Sequence, residues 1–231
     1  MHPPLVVITG AAGALGHAVS DAFLAQGASV IALDVDQQRL RDVFEGQPRV
    51  QTLAVDLTDA AASQAALRAV LAERGAATVL CNIAGGFDMG PAVHDSEDAF
   101  WRRLVDLNVA TVINASRAVV PGMLDAGVGR IVNVAAASAA SGKGAMGAYC
   151  AAKSGVARLT ESMAAELREQ GINVNAVAPS ILDTPANRAA MPGEDFGKWV
   201  TLADLAAVIE FLASPRARAI HGAVLPVVGL S

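Results

Sequence analysis

Short apolar runs alternate along the chain with stretches whose apolar residues recur at helical spacing. Residues 5–9 read as a strand, and 14–26 as a helix stopped by Gly27. Strands follow at 29–33 and 49–55, each leading into a helix, at 37–45 and 59–74. A fourth strand is predicted at 77–81, then one long helix from 96 to 126. Residues 130–134 form a fifth strand before a helix at 147–170. Strands at 172–177 and 223–228, with a helix at 202–213 between them, complete the pattern. The strands are apolar throughout, which suits a sheet covered on both faces. Strict β-α alternation with right-handed crossovers predicts an α/β fold: a doubly wound parallel sheet of about seven strands. Ligands of such sheets lie beyond the carboxyl ends of the strands, where the strand order reverses.

Composition narrows this without redirecting it. With 231 residues, 53% of them hydrophobic and 17% charged, the chain has enough for one domain spanning 1–231 with a full core. A mean hydropathy of +0.43 is high, yet Gly, Pro, Asn or Asp interrupts the most apolar stretches before any could cross a membrane. The surplus apolar surface is expected to be buried between subunits of a homodimer or homotetramer. A net charge of −5 argues against nucleic acid and for a small-molecule partner. Cys81 and Cys150 lack metal-ligand or C-x-x-C spacing and read as small buried residues in a reducing compartment. The start, Met1-His2-Pro3-Pro4, has no basic segment or cleavage site, so no signal peptide and a cytoplasmic location are expected.

Thr9-Gly10-Ala11-Ala12-Gly13-Ala14-Leu15-Gly16 follows the first strand and opens a helix. Small residues let this turn be tight and let a pyrophosphate approach the backbone, and the helix N-terminus offers N–H donors to it. The strand-turn-helix context gives the pattern its weight as a Rossmann-type dinucleotide site; a turn that only packs is the alternative. Asp34 ends the second strand, 24 residues after Gly10, near the spacing of an acid that holds ribose hydroxyls. Its charge would repel a 2′-phosphate, so NAD(H) is expected over NADP(H). The plainer reading of Asp34 is a helix N-cap. Asp56 ends the third strand, where an acid could meet the adenine, and Asn82 with Ala84, Gly85 and Gly86 ends the fourth.

Tyr149 is the only tyrosine, and Lys153 stands four residues on in a predicted helix, on the same face. An ammonium beside a phenol favours the phenolate and draws its pKa from about 10 toward neutrality. Such a phenol can pass a proton to or from a substrate. A helix-surface pair of no consequence is the alternative.

These elements, with Leu57, Asn108, Asn175-Ala-Val-Ala-Pro179 and Thr184, resemble the short-chain dehydrogenase/reductase family over essentially the whole chain. The resemblance implies Tyr149 as proton donor or acceptor, and Lys153 as the residue that holds the nicotinamide ribose and tunes it. It implies that Asn108 interrupts helix hydrogen bonding to position a water in a proton relay. Pro179, Ile181 and Thr184 would meet the carboxamide end of the nicotinamide. Three positions depart from the family pattern: Ala14 and Ser180 stand where glycine is usual, and Ala136 where a serine polarises the substrate carbonyl. Ser138 lies two residues on; if the strand continues, it faces the same side as Ala136 and could substitute through a local shift. Otherwise it is a loop-start hydroxyl that caps its own backbone.

The segment 182–199, with Ile83-Ala84-Gly85-Gly86-Phe87, resembles the dihydropteridine reductases, a branch that uses NADH, lacks the serine and keeps the tyrosine-lysine pair. A quinonoid dihydropterin is electron-poor and needs less polarisation than a ketone, for which one missing donor would cost about 2.7–4 kcal/mol by analogy with an oxyanion hole. Phe87, Met146, Met191, Phe196 and Trp199 either line an apolar pocket over the nicotinamide or pack a lid near 185–200. The leading expectation is an NADH-dependent reductase of a conjugated or pterin-like substrate. A carbonyl or 3-oxoacyl thioester reductase, or alcohol dehydrogenase, using Ser138, is a second. A catalytically weak NAD(H)-binding redox sensor is a third.

Overall fold

A computed structural model of the protein describes residues 3–231; Met1 and His2, part of the start read above for a signal peptide, lie outside them. Strands β1 (Leu5–Thr9) and β4 (Val79–Asn82) are buried at every position, as apolar runs without alternation require. They pair with each other at the centre of a sheet completed by β2 (Ser29–Asp34), β3 (Val50–Ala54), β5 (Gly129–Val134), β6 (Ile172–Pro179) and β7 (Val224–Val227). The order is β3-β2-β1-β4-β5-β6-β7 and all pairs are parallel. The order reverses between β1 and β4, so the ends of these strands, past Thr9 and Asn82, are where such a sheet receives a ligand.

Each strand sends alternate residues to opposite faces. Val6, Ile8, Val30 and Val132 pack with Val19 and Phe23 of α1 (Ala14–Ala25) and with Leu205 and Ile209 of α8 (Leu202–Ala213). On the other face Leu5, Val7, Ile31 and Ile131 meet Leu67 of α3 (Ala60–Arg74) and Val119 and Met123 of α5 (Thr111–Ala126). Each such side chain contributes about 1.5–3 kcal/mol by leaving water, so a one-residue slip of any central strand would be prohibitive. The remaining helices are α2 (Gln37–Phe44), α4 (Asp98–Val105), α6 (Gly147–Leu167) and α7 (Pro185–Ala190). None of the described helices is long and apolar enough to cross a membrane.

Two departures from the predicted elements bear on function. The long helix expected over 96–126 is three pieces: α4, a π-helical turn at Asp106–Ala110, and α5. The cause is local. The Asn108 side chain donates to the Leu104 carbonyl at 3.0 Å, taking the acceptor that the Asn108 backbone N–H would use in an α-helix. The Thr111 amide accordingly reaches back five residues to Asp106. The second departure is β6, which extends to Pro179 and carries the chain straight into the segment expected to form a lid.

Candidate active site

The glycine turn is shaped by two contacts no other residue could tolerate. Gly10 has φ +64, and a Cβ there would sit 2.9 Å from both Cα and N of Ala84. A Cβ on Gly16 would lie 2.2 Å from the Gly10 carbonyl oxygen. The two glycines press β1, the end of β4 and α1 together. Gly13 is the N-cap of α1 and brings no side-chain cap, and no acid stands in the first turn. The amides of Ala14, Leu15 and Gly16 therefore meet an incoming anion without competition from a side chain. Ala14 is exposed, so its methyl takes no room from the turn, while the Leu15 side chain belongs to the core. Thr9 accepts the amides of Ile83 (2.9 Å) and Ala84 (3.0 Å), fixing the β4 end beside this turn.

Asp34 stands at the end of β2. One carboxylate oxygen accepts from Ala12 N at 3.1 Å, and the other from Val35 N at 2.8 Å. It is not a helix N-cap: Asp36 fills that role for α2 by accepting from Arg39 N. Asp34 is partly exposed and tied to the glycine turn, the position from which a carboxylate could meet ribose hydroxyls. Asp56 is exposed, and Thr58 donates to one of its oxygens from amide and hydroxyl, which lowers its pKa. The following Leu57 is buried, and its carbonyl accepts from Asn114 of α5 at 2.9 Å. The Asn82 side chain turns inward, donating to Asn133 of β5 at 2.8 Å, and Asn133 donates on to Thr160 of α6. What Asn82 contributes at this strand end is thus a rigid backbone, with its side-chain nitrogen bonded inside the sheet and its Oδ1 buried without a protein partner.

Two of the catalytic candidates, Asn108 and Lys153, converge at Gly85. A Cβ on it would lie 2.7 Å from Asn108 Oδ1 and 3.1 Å from Lys153 Nζ. Asn108 is fully buried; its amide donates to Gly86 O (3.0 Å) and accepts from Gly86 N (3.2 Å), besides its bond to Leu104. Lys153 is 5% exposed and donates to the Val134 carbonyl at 2.8 Å. Two more side chains of α6 grip the same loop: Cys150 Sγ meets Ser138 O at 3.4 Å, and Ser154 Oγ donates to Ala139 O at 2.7 Å. Tyr149 stands beside Phe87, rings edge to face at 5.0 Å.

The electrostatics differ from the sequence expectation. Burial holds Lys153 down at about 8 and pushes Tyr149 up to about 12, with the Cys150 thiol adding to the rise. Lys153 does not draw the phenol toward neutrality here. Its ammonium is directed at Val134 O, and loss of water penalises the charged form of both groups. Cys81, wholly buried, is likewise pushed up by burial.

Beyond Pro179, the last residue of β6, Ser180 and Ile181 lead to a Leu182–Val200 bridge that closes the base of the 183–199 segment. Thr184 caps α7 by accepting from Asn187 N at 3.1 Å. Within this segment, Arg188 pairs with both oxygens of Asp183, lowering that carboxyl's pKa, and its guanidinium lies over Phe196 at 5.0 Å. Trp199 is 5% exposed and packs on Phe196 at 4.7 Å, whereas Phe196, Met146 and Met191 are half-buried.

A sequence profile described as short chain dehydrogenase matches residues 4–195. The chain belongs to that family. It is 32% identical to 2-(S)-hydroxypropyl-CoM dehydrogenase 3 of Xanthobacter autotrophicus, over 97% of this chain and 95% of that protein. To meso-2,3-butanediol dehydrogenase of Serratia marcescens it is 34% identical, over 97% and 93%. The crystal structure of an oxidoreductase of the short chain dehydrogenase/reductase family from Burkholderia thailandensis matches with a TM-score of 0.90 at 34% identity, covering 99% of this chain and 92% of that one. Members of the family bind nicotinamide cofactors, and the open amides of Ala14, Leu15 and Gly16 with the adjacent Asp34 fit such a group.

In this short chain dehydrogenase the serine question has a structural answer in part. The premise that the β5 strand continues past Ala136 fails. Ala136 is extended and 8% exposed, but Ala137–Ala140 is a 3-10 turn, so the two-residue alternation that would align Ser138 with Ala136 is lost. Sequence reasoning missed Thr9, Asn133, Cys150 and Ser154 as framing residues. The signal available was polarity: an Asn inside a buried strand needs a partner.

Proposed function

We propose that this short chain dehydrogenase is an NAD(H)-dependent oxidoreductase that delivers hydride from NADH to a flat, conjugated or pterin-like acceptor, with Tyr149 as proton donor. The observation that supports this reading is Ala136: a buried alanine stands at the position where the family pattern has the polarising serine, and the 3-10 turn at Ala137–Ala140 breaks the strand alternation that would have aligned Ser138 with it. A substrate that needs little polarisation suits such a site. NADH, when bound, supplies the hydride. The amides of Ala14, Leu15 and Gly16 would receive its pyrophosphate, and Asp34 its adenine ribose, disfavouring a 2′-phosphate. Asp56 would approach the adenine, while Ala84 and Gly85 leave room for the ribose and nicotinamide. Lys153 would turn from Val134 O to the nicotinamide ribose, placing its charge where it assists Tyr149. Asn108, locked in the π turn, holds the relay end of the site, and Pro179, Ile181 and Thr184 border the carboxamide. Phe87, Met146, Met191 and Phe196 give the acceptor apolar surface. The molecule is expected to act as a cytoplasmic homodimer or homotetramer, with exposed Val105, Leu124 and Val128 among the apolar residues to cover.

A second reading, oxidation of an alcohol or reduction of a 3-oxoacyl carbonyl, is supported by what relatives are named for. Besides the two dehydrogenases above, a 3-oxoacyl-(acyl-carrier-protein) reductase of Vibrio harveyi is 30% identical over 97% of this chain. Steady-state assays of quinonoid dihydropterin against acetoacetyl thioesters, each with NADH and NADPH, separate the two. The first reading expects the pterin to turn over faster and NADH to bind more tightly. Tyr149→Phe should then lower turnover by about 10²–10⁴ with NADH affinity kept. Full activity in that variant removes Tyr149 from its role, and faster thioester reduction selects the second reading.

A further inference from the structure

The lid has a second fastening besides the Leu182–Val200 bridge, and it comes from the chain beyond β7. Ser180 Oγ donates to the Val228 carbonyl at 2.9 Å and lies 2.8 Å from Ser231 Oγ. The Leu230 amide donates to the Lys198 carbonyl at 3.0 Å. Gly229, between them, has φ +57, and a Cβ there would sit 2.8 Å from Lys198 O and 3.5 Å from the Trp199 carbonyl carbon. Only a glycine lets the backbone cross this close. Residues 228–231 therefore touch the lid at both ends: at Ser180, one residue before Ile181, and at Lys198, two residues before Val200. The Ser180 backbone adds a bond to Val227 O at 3.1 Å, but any residue could make that one. The hydroxyl bonds need a hydroxyl side chain, and this is a position where the family pattern has glycine.

We propose that Ser180 is a positioning residue, and that residues 228–231 are a strap which sets how the lid sits over the nicotinamide end of the site. Ser180 holds the strap, and the strap holds Lys198 and with it the Phe196–Trp199 packing. The inference rests on the functional reading only in taking Pro179, Ile181 and Thr184 as the border of the cofactor. A net hydrogen bond corresponds to roughly a two- to tenfold change in an equilibrium, so losing the Ser180 pair should shift lid opening by about that factor.

The test compares Ser180→Ala and Ser180→Thr with the native protein by amide hydrogen exchange and by NADH titration. The informative amides are Asp183, which donates to Val200 O, and Val200, which donates to Ile181 O. In Ser180→Ala their exchange should quicken about two- to tenfold, with Ile131 and Val132 of β5 unchanged, and the Kd for NADH should rise by a similar factor. Ser180→Thr, which keeps the hydroxyl, should restore both. Native exchange at Asp183 and Val200 in Ser180→Ala overturns the strap, as does an equal rise throughout the sheet. Failure of the native protein to bind NADH would instead overturn the functional reading, while the exchange comparison would still decide the strap.

Discussion

Gly85→Ala places one methyl group against two of the catalytic candidates. The added carbon would lie 2.7 Å from Asn108 Oδ1, 0.7 Å inside the 3.4 Å at which ordinary contact begins, and 3.1 Å from Lys153 Nζ. The end of a flexible side chain can usually yield to such a clash, but neither of these is free. Asn108 is fully buried, and its amide makes three bonds, to Gly86 N, Gly86 O and Leu104 O, at 3.0–3.2 Å. Moving it sacrifices at least one of them and leaves a buried polar atom unpaired, at about 1–3 kcal/mol. The Leu104 bond also maintains the π turn, so displacement of Asn108 would relax that turn toward regular helix. Lys153 is buried too and holds Val134 O at 2.8 Å, so it has no water to retreat into. Taking about 2 kcal/mol, thermal unfolding should shift down by about 4–8 °C for a domain of this size. NADH affinity and turnover should both fall, since Lys153 and Asn108 move together. Gly144→Ala is the control: a Cβ there meets nothing within 4 Å, and it should change stability by less than about 0.5 kcal/mol. Calorimetry and NADH titration on the two variants decide the matter. Native stability and affinity in Gly85→Ala, or equal damage in Gly144→Ala, would refute the convergence of Asn108 and Lys153 on Gly85.

Two further outcomes follow from the same geometry. Lys153 is held at about 8, below its ordinary 10.5, so above pH 8 the folded state releases a proton that the unfolded state keeps. Stability should therefore rise as pH goes from 8 toward 9, before the raised Cys81, which costs stability above pH 9, opposes it. Lys153→Met should abolish the rise, and chemical denaturation across that range would show it; a rise persisting in the variant would disprove the assignment to Lys153. Asp34→Ala removes the acceptor of Ala12 N and the charge facing a 2′-phosphate. It should weaken NADH binding about tenfold or more while NADPH binding is kept or improved, read by fluorescence titration, and an unchanged ratio of the two affinities would contradict the role given to Asp34.

Much of this protein was legible in its residue order, because the physics involved is local. Unbroken apolar strands of five or so residues separated by amphipathic helices admit little besides a covered parallel sheet, and Gly10 and Gly16 mark a turn no other residue could make. Chain spacing alone set Tyr149 and Lys153 on one helical face. Packing between elements distant in sequence decided the rest. Residues 96–126 have continuous helical periodicity, and it is the bond between Asn108 and Gly86, 22 residues apart, that accompanies the π turn. Ser138 looked aligned with Ala136 only while β5 was taken to continue; Cys150 and Ser154 of α6 hold that loop in a 3-10 turn. Charge was the least local property. Sequence places an ammonium beside a phenol, but the fold withdraws water from both and points Lys153 at Val134, so their titration runs opposite to the pairwise expectation. Spacing along a helix determines which side chains are neighbours, whereas desolvation and hydrogen-bond partners depend on everything that packs over them.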